Sequence, residues 1–275
     1  MYRIFFTCFF LSLFTLQASA QKPPVKKPLE KRVKVYYEPT QDSSFLVWHD
    51  SFKEDRFLET MGKVVNDVFR MERQLTLSLR DCGVTNAFYS SERKELILCY
   101  QMLDYLYRSY ADSIPDPTEL GEKIGNVLSF IYFHEIGHAM IDLLDIPLTG
   151  KEEDAADYFS FYFLASNEVP EGVKATMEGA NFFLKSYQKM VNDTAYQRLK
   201  KEGKEPELPF WDEHSLDMQR FYTIAALIYG SNPEKYDYFI GSGYLGNRRP
   251  AIAIAEYKKI KKGWDRVLKP YIKFR

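Results

Sequence analysis

The feature that most constrains the fold is a thirty-residue stretch in the middle of the chain, DPTELGEKIGNVLSFIYFHEIGHAMIDLLD, at residues 116–145. Asp116 as an N-cap and Pro117 at the first helical position predict a helix that begins here and ends before Ile146. Its apolar residues predict that the helix is buried. Two histidines in a buried helix are costly unless they have partners, so they need a physical explanation.

These histidines, His134 and His138, lie four residues apart, and Glu135 follows the first. Positions i and i+4 share one face of a helix, so both imidazoles can reach one zinc ion. Glu135 projects near that face and can take a proton from a water at the metal, as in the H-E-x-x-H motif. Gly137 allows another backbone to approach closely. The alternative is a pair of core histidines held by hydrogen bonds.

A catalytic zinc takes three protein ligands, and the segment GKEEDAADYFSFYF at residues 150–163 offers the third. Glu153 and Asp157 share a helical face there, so Glu153 can bind zinc while Asp157 accepts a hydrogen bond from a ligand histidine. Glu152 is the alternative ligand. A solvated acidic helix start would explain Glu152 and Asp154, but it would not explain a buried Asp157.

Three motifs resemble those of known zinc peptidases. H-E-I-G-H followed by E-D-A-A-D resembles the gluzincin metallopeptidases, and NAFY at 86–89 is similar to their substrate-binding edge strand. HSLDMQR at 214–220 is similar to the H-P-x-x-x-x-R motif of prenyl-protease-like gluzincins, with Ser215 in place of the usual proline. Over residues 80–230 the chain resembles a family of bacterial exported proteins described as metallopeptidases of unknown function.

The resemblance implies a zincin-like fold and one Zn²⁺ ion held by His134, His138 and Glu153, with Glu135 as general base. The late histidine, His214, would face the reaction intermediate as a hydrogen-bond donor oriented by a neighbouring carboxylate. The alternative for His214 is a helix cap. Further expected roles fall to residues around the cleft: Asp157 and Arg220 as supports of the ligands, and Asn86 and Ala87 as cleft-lining residues on an edge strand.

The remaining pattern predicts an α+β chain, with a small mixed-sheet lobe at 33–110 followed by a mainly helical lobe at 111–275, together one domain. Strands are predicted at 33–39, 44–48, 75–80, 86–90 and 95–100, with a hairpin turn at 91–94. Helices are predicted at 54–74, from 151, and at 171–199, 214–229, 233–240 and 250–268. The glycines at 241, 243 and 246 follow a helix, so they predict a turn and no dinucleotide site.

The N-terminal region predicts export. Residues 1–20 have the basic start, apolar run and ASA end of a signal peptide, and residues 21–32 read as a flexible leader. We therefore expect a periplasmic or secreted protein. In that setting Cys82 and Cys99 predict one disulfide, with two separate buried thiols as the alternative. The 37 basic and 38 acidic residues nearly balance, so the net charge predicts no overall electrostatic attraction to nucleic acid or to an anionic membrane.

These features predict an exported zinc-dependent peptidase that hydrolyses peptide bonds with a metal-activated water, acts on a peptide or protein substrate and contains no transmembrane segment after cleavage. Two alternatives stay open: a non-catalytic binding module that keeps zinc for structure, and a zinc hydrolase of non-peptide amides. A fourth protein ligand on the metal would favour the first alternative. His49 lies outside every motif and is expected at the surface or at a strand end.

Overall fold

The computed structural model describes residues 32–246 and 248–273, so the predicted signal peptide and all but the last residue of the leader lie outside the described part. The predicted α+β class is confirmed: a small sheet is followed by a mainly helical region. The elements in chain order are β1 Val33–Tyr37, α1 Ser43–Glu54, α2 Phe57–Val68, β2 Leu75–Arg80, β3 Ala87–Ser90, β4 Glu95–Cys99, α3 Tyr100–Tyr110, α4 Pro117–Leu143, α5 Glu152–Ala165, α6 Pro170–Val191, α7 Thr194–Lys201, α8 Asp217–Ser231, a 3₁₀ turn Asp237–Phe239 and α9 Pro250–Leu268.

The sheet has the strand order β1-β2-β4-β3, in which β1, β2 and β4 run parallel and β3 is antiparallel to β4. The turn at 91–94 joins β3 and β4 as the predicted hairpin. Within the described residues β3 pairs with β4 alone, so β3 is an edge strand of the sheet. The structure contains a disulfide between Cys82 and Cys99, with the two Cα atoms 5.5 Å apart, and this bond closes the segment that carries β3.

Helix α4 forms the centre of the molecule because it is apolar on almost every face. It begins as the sequence predicts: Pro117 is in the first turn, and the Asp116 side chain accepts a hydrogen bond from the Glu119 N–H at 2.8 Å. One side of α4 packs into the apolar cluster shared with the sheet. On the other side Phe130 packs into a second cluster formed mainly with α5, α6 and α8.

The close approach of α5 to α4 depends on Gly137. A Cβ atom at this position would lie 3.0 Å from the Ala156 Cα and 3.2 Å from the Phe159 Cβ, both in α5. The absence of a side chain therefore sets how near the acidic start of α5 comes to the histidines of α4.

Several predicted elements are wrong. Residues 44–48 are not a strand but part of α1, because Asp42 caps a helix through the Ser44 N–H at 2.9 Å and the aromatic residues there repeat with a helical period. His49 therefore lies on α1, with a side chain only 14% exposed and close to the Tyr37 ring. The helix predicted at 233–240 shrinks to the 3₁₀ turn at 237–239.

Other helices differ from the prediction at their ends. The helix predicted at 54–74 is α2 at 57–68, because Arg56 has a left-handed backbone conformation and separates it from α1. The predicted helix at 171–199 divides into α6 and α7, since Asp193 caps a new helix. Helix α8 begins at Asp217 instead of residue 214, and α3 was not predicted. No helix in the described ranges is long and apolar enough to cross a membrane.

Candidate metal centre

Three side chains from α4 and α5 meet at one point. The His134 Nε2 atom lies 3.3 Å from the His138 Nε2 atom, and these two nitrogens lie 3.2 and 3.3 Å from the two carboxylate oxygens of Glu153. The ligand atoms of all three residues are within 4.8 Å of one another. Two imidazole nitrogens and one carboxylate form the donor set of a gluzincin-type zinc site.

The other nitrogen of each imidazole is held by a carboxylate. His134 Nδ1 lies 2.8 Å from Asp157, and His138 Nδ1 lies 2.8 Å from Glu152. If each Nδ1–H donates a hydrogen bond to its carboxylate, Nε2 carries no proton, and the Nε2 lone pairs of both rings face each other and Glu153. Such an arrangement of acceptors is repulsive unless a cation lies between them, so these residues fit a bound metal ion.

Glu152, the alternative ligand, therefore lies on the far side of the His138 ring and outside the group of three. Burial would lower the pKa of His138, but the carboxylates around it, led by Glu153, outweigh burial and raise the pKa to about 9. Burial would also raise the pKa of Glu153, yet its hydrogen bonds to the histidines hold that pKa far below its ordinary value. The cluster thus concentrates negative charge around the two imidazoles and favours a cation.

Asp157 is buried against Arg220. The Arg220 guanidinium donates two hydrogen bonds to the Asp157 carboxylate at 2.8 and 2.7 Å, and it stacks 3.9 Å above the Phe183 ring. Burial would raise the pKa of Asp157, but the positive charge of Arg220 outweighs burial and holds that pKa well below its ordinary range. Asp157 is therefore an anion that fixes the His134 ring, and Arg220 compensates its charge.

Glu135 lies beside the two histidines of this group, with its own side chain buried. Burial raises its pKa, and the neighbouring histidines lower that pKa by less. A small cavity of about 110 Å³ next to Glu135 is lined by His134, the tip of β3 and apolar side chains. A carboxylate with raised proton affinity beside an open space is suited to accept a proton from a water.

The start of β3 lies next to the site. Asn86 and Ala87 both border the cavity that contains Glu135. The Cys99 N–H donates to the Asn86 carbonyl at 3.1 Å, and backbone pairing alternates along antiparallel strands, so the N–H and C=O groups of Ala87 point away from β4. The Asn86 side chain accepts a hydrogen bond from the Ala87 N–H at 3.0 Å. Their role in substrate binding stays a prediction.

His214 lies close to the metal ligands on the loop before α8. Its Nε2 atom is 3.0 Å from Glu153, and its Nδ1 atom is 3.0 Å from Asp212. The backbone N–H of His214 also donates to Asp212 at 2.8 Å. The capping alternative is wrong, because α8 begins three residues later with Leu216 at the N-cap position. Asp212 thus orients the ring, as the donor hypothesis requires.

Some contacts at the site were not predicted from the sequence. Tyr89 on β3 donates from its hydroxyl to Asp142 at 2.6 Å, and Lys94 pairs with the same carboxylate at 2.5 Å. These bonds fasten the hairpin to α4 two turns after the first histidine. Phe183 reaches the site from α6, and no sequence pattern predicted it there. Asp142 does share a helical face with His138, and that spacing was the available signal.

Comparison with known families agrees with this geometry. Residues 37–268 match the family model DUF4344, which carries the description "Putative metallopeptidase". The chain belongs to this family. The match confirms the resemblance to a metallopeptidase family. The family description supports a metal, a peptidase activity and a peptide substrate, but it specifies neither the metal nor the peptide. No curated protein and no solved structure matches the chain.

Proposed function

We propose that this DUF4344 protein is an exported zinc-dependent peptidase that hydrolyses peptide bonds with a metal-activated water. The observation that carries the proposal is the convergence of His134 Nε2, His138 Nε2 and Glu153, whose ligand atoms lie within 4.8 Å of one another. The Nδ1 atom of each histidine lies within hydrogen-bond distance of a carboxylate, which is the support that zinc-binding histidines usually receive.

A zinc ion in this site would supply Lewis acidity, which polarises a carbonyl and lowers the pKa of water toward about 7. Glu135 accepts the proton of the attacking water and passes it to the nitrogen of the leaving amine. Its raised pKa suits both steps, because a carboxylate that is too weakly basic would not take the proton. Burial of Glu135 keeps competing water away from this transfer.

The substrate backbone pairs with the outer edge of β3, where the Ala87 carbonyl points away from β4 next to the site and can accept a hydrogen bond. His214 donates a hydrogen bond to the oxygen that becomes negative in the tetrahedral intermediate. Glu153 and Asp212 raise the pKa of His214, so the ring can keep a proton on Nε2 for this bond while Nδ1–H donates to Asp212 at 3.0 Å. Asp157 and Arg220 hold His134 in place and do not touch the substrate.

The structure supports this proposal over the two alternatives. A structural zinc site normally has four protein ligands, whereas the one His/Cys/Asp/Glu group with metal-binding spacing in the described residues has three members. A structural site also has no use for a buried glutamate with a raised pKa. An edge strand beside the metal matches an extended peptide, which favours peptides over other amides.

The test is cleavage of a diverse peptide library by the zinc-loaded protein. We expect cleavage that stops when a chelator removes zinc and returns when zinc is added. Glu135→Gln should keep one zinc per chain and lose about 10²–10⁴-fold in rate, the usual contribution of general base catalysis. Glu122→Gln, an exposed carboxylate on the same helix, is the matched control and should keep full activity.

Two results would overturn the proposal. One is a zinc-loaded, folded protein that cleaves no member of the library. The other is Glu135→Gln with undiminished turnover. Export is tested separately: N-terminal sequencing of the protein recovered outside the cytoplasm should begin at Gln21, and recovery of the uncut chain in the cytoplasm would contradict it.

A further inference from the structure

The near-balance of charge over the whole chain conceals a strongly basic region. Residues 248–273, which comprise α9 and its flanks, contain nine of the 37 basic residues and two of the 38 acidic residues. The rest of the chain must then be distinctly acidic. Segregation of this kind creates a local field that the net charge of −1 does not reveal.

The basic residues of α9 lie on its solvent side. The helix turns Ala253, Trp264 and Leu268 into the core. Five exposed side chains of the helix and its C-cap residue are basic: Lys258, Lys259, Lys262, Arg266 and Lys269. Residues 258, 262 and 266 are spaced by four, so they follow one another along a single face.

These charges are not compensated by the protein itself. In the part of the chain that the structure describes, none of the five makes an ion pair. The nearby acid, Asp265, is already bound by Lys261 at 2.9 Å and by the Tyr162 hydroxyl at 2.8 Å. Like charges one helical turn apart repel each other, so an external anion would stabilise this face.

A second group of basic residues lies near the end of the described chain, beyond α9. The Lys273 N–H donates to the Val68 carbonyl at 2.8 Å, and the Arg70 N–H donates to the Tyr271 carbonyl at 2.6 Å. These bonds bring the end of the described chain against the turn after α2. A depression there is lined by four basic residues, Arg32, Arg70, Arg73 and Lys273, and by two acidic residues, Glu72 and Asp145. We call the row on α9 and these four residues the basic face.

The shape of the basic face indicates the kind of partner. The row lies along the outside of a helix that is about 28 Å long, which is a convex line and not a groove. None of the exposed large apolar side chains in the described residues is an aromatic residue of α9, so the row has no platform for stacked bases. An extended anionic surface can contact all of the row at once.

We propose that the basic face docks the protein on an anionic phospholipid surface, with lysine and arginine side chains against the headgroup phosphates. Docking by this face is peripheral and electrostatic, and it does not depend on the metal chemistry. Each basic residue near such a surface contributes roughly a fivefold gain in affinity.

The test uses the chain from Gln21, which keeps every described residue, and vesicles of phosphatidylcholine with one third phosphatidylglycerol. The protein should sediment with these vesicles at low salt, remain in solution with pure phosphatidylcholine vesicles and be released by high salt. Lys258→Glu/Lys262→Glu/Arg266→Glu should bind at least about 100-fold more weakly. Lys200→Glu/Lys201→Glu/Lys204→Glu, with the same change in net charge on α7 and the loop after it, should bind like the unmodified chain.

Circular dichroism and thermal unfolding establish that both variants are folded; if the first is not, Lys258→Gln/Lys262→Gln/Arg266→Gln takes its place. Equal loss of binding in both triple variants would assign the effect to net charge and overturn the proposal. So would unchanged binding of the α9 variant, or equal binding to neutral vesicles. Release from the vesicles by duplex DNA at low concentration would assign the basic face to nucleic acid instead.

Discussion

The proposed metal ligands and the proposed oxyanion donor are held in very different ways. His134 and Glu153 expose only 6% and 15% of their side chains and lie on two helices that pack closely at Gly137. His214 exposes 43% of its side chain on the loop of residues 202–216, where Phe210 and Trp211 are 76% and 79% exposed. The ligands are fixed by the core, whereas the donor depends on a few hydrogen bonds of a loop that can adjust to substrate.

The strongest test of this contrast compares the two carboxylates behind the ligand histidines. Asp157→Asn leaves Arg220 buried without its counter-charge, and we expect the free energy of unfolding to fall by about 3–5 kcal/mol. Glu152→Gln makes the same chemical change behind His138, but Glu152 is 49% exposed, so we expect a fall below about 1 kcal/mol. Denaturant unfolding measures both values.

Zinc affinity, measured by competition with a chelating dye, should fall about 10–100-fold in both variants, because each loses the support of a ligand histidine. Equal and small losses of stability in the two variants would show that the buried pair of Asp157 and Arg220 does not stabilise the site more than the exposed Glu152 does. A zinc affinity that does not change in Asp157→Asn would remove Asp157 from the metal centre.

The second prediction concerns the loop. His214→Ala should keep zinc and thermal stability but lower kcat about 100-fold, because one aimed hydrogen-bond donor contributes roughly 3 kcal/mol to the transition state. Glu213→Ala, at the exposed neighbouring position, is the control and should leave kcat unchanged. Loss of zinc from His214→Ala would instead make His214 a fourth ligand and favour a structural site.

The third prediction addresses helix packing. Gly137→Ala places a methyl group 3.0 Å from the Ala156 Cα, so we expect about 1–3 kcal/mol of destabilisation and weaker zinc binding as α5 moves away. Gly125→Ala is on the same helix with nothing within 4 Å, and it should stabilise the protein by about 0.5–1 kcal/mol. Thermal unfolding measures the Tm of both variants. Shifts of the two Tm values in the same direction would contradict the packing account.

The smallest expected effect is at the hairpin. Burial would raise the pKa of Asp142, but Lys94 and the Tyr89 hydroxyl outweigh burial and lower it. A carboxylate with a lowered pKa in the folded state stabilises the fold above its unfolded pKa of about 3.9, and this contribution is lost as pH falls through the folded pKa. Tyr89→Phe should therefore lower stability by about 1 kcal/mol at pH 7.

That difference between Tyr89→Phe and the unmodified protein should shrink as the pH falls below about 4. Denaturant titrations across this range measure it. A difference that is constant with pH would mean that the Tyr89 hydroxyl does not act through the Asp142 carboxylate.

The sequence predicted α4 and the shared face of His134 and His138 well, because capping, helical burial and the i, i+4 spacing are all local. It also placed β2, β4 and the hairpin turn correctly, since their patterns are regular. It failed at residues 44–48, where five residues fit either a strand or an amphipathic helix and the capping role of Asp42 decided the outcome.

The contacts that join distant segments could not be predicted in the same way. The stacking of Phe183 on Arg220 and the bond from Tyr89 to Asp142 link residues 37 and 53 positions apart. No local pattern specifies such pairs, because they depend on how helices and the hairpin pack. The basic face could not be predicted from the nearly balanced overall composition, because it depends on which side of α9 its lysines occupy in the fold.

The central claim is that α4 and α5 together hold one zinc ion, and metal analysis of the purified protein tests it most directly. After exposure to zinc and removal of the excess at neutral pH, the unmodified protein should retain one zinc per chain and His138→Ala should retain none, while circular dichroism shows both folded. A folded, unmodified protein without stoichiometric zinc would contradict the account, as would His138→Ala that binds zinc as tightly as the unmodified protein.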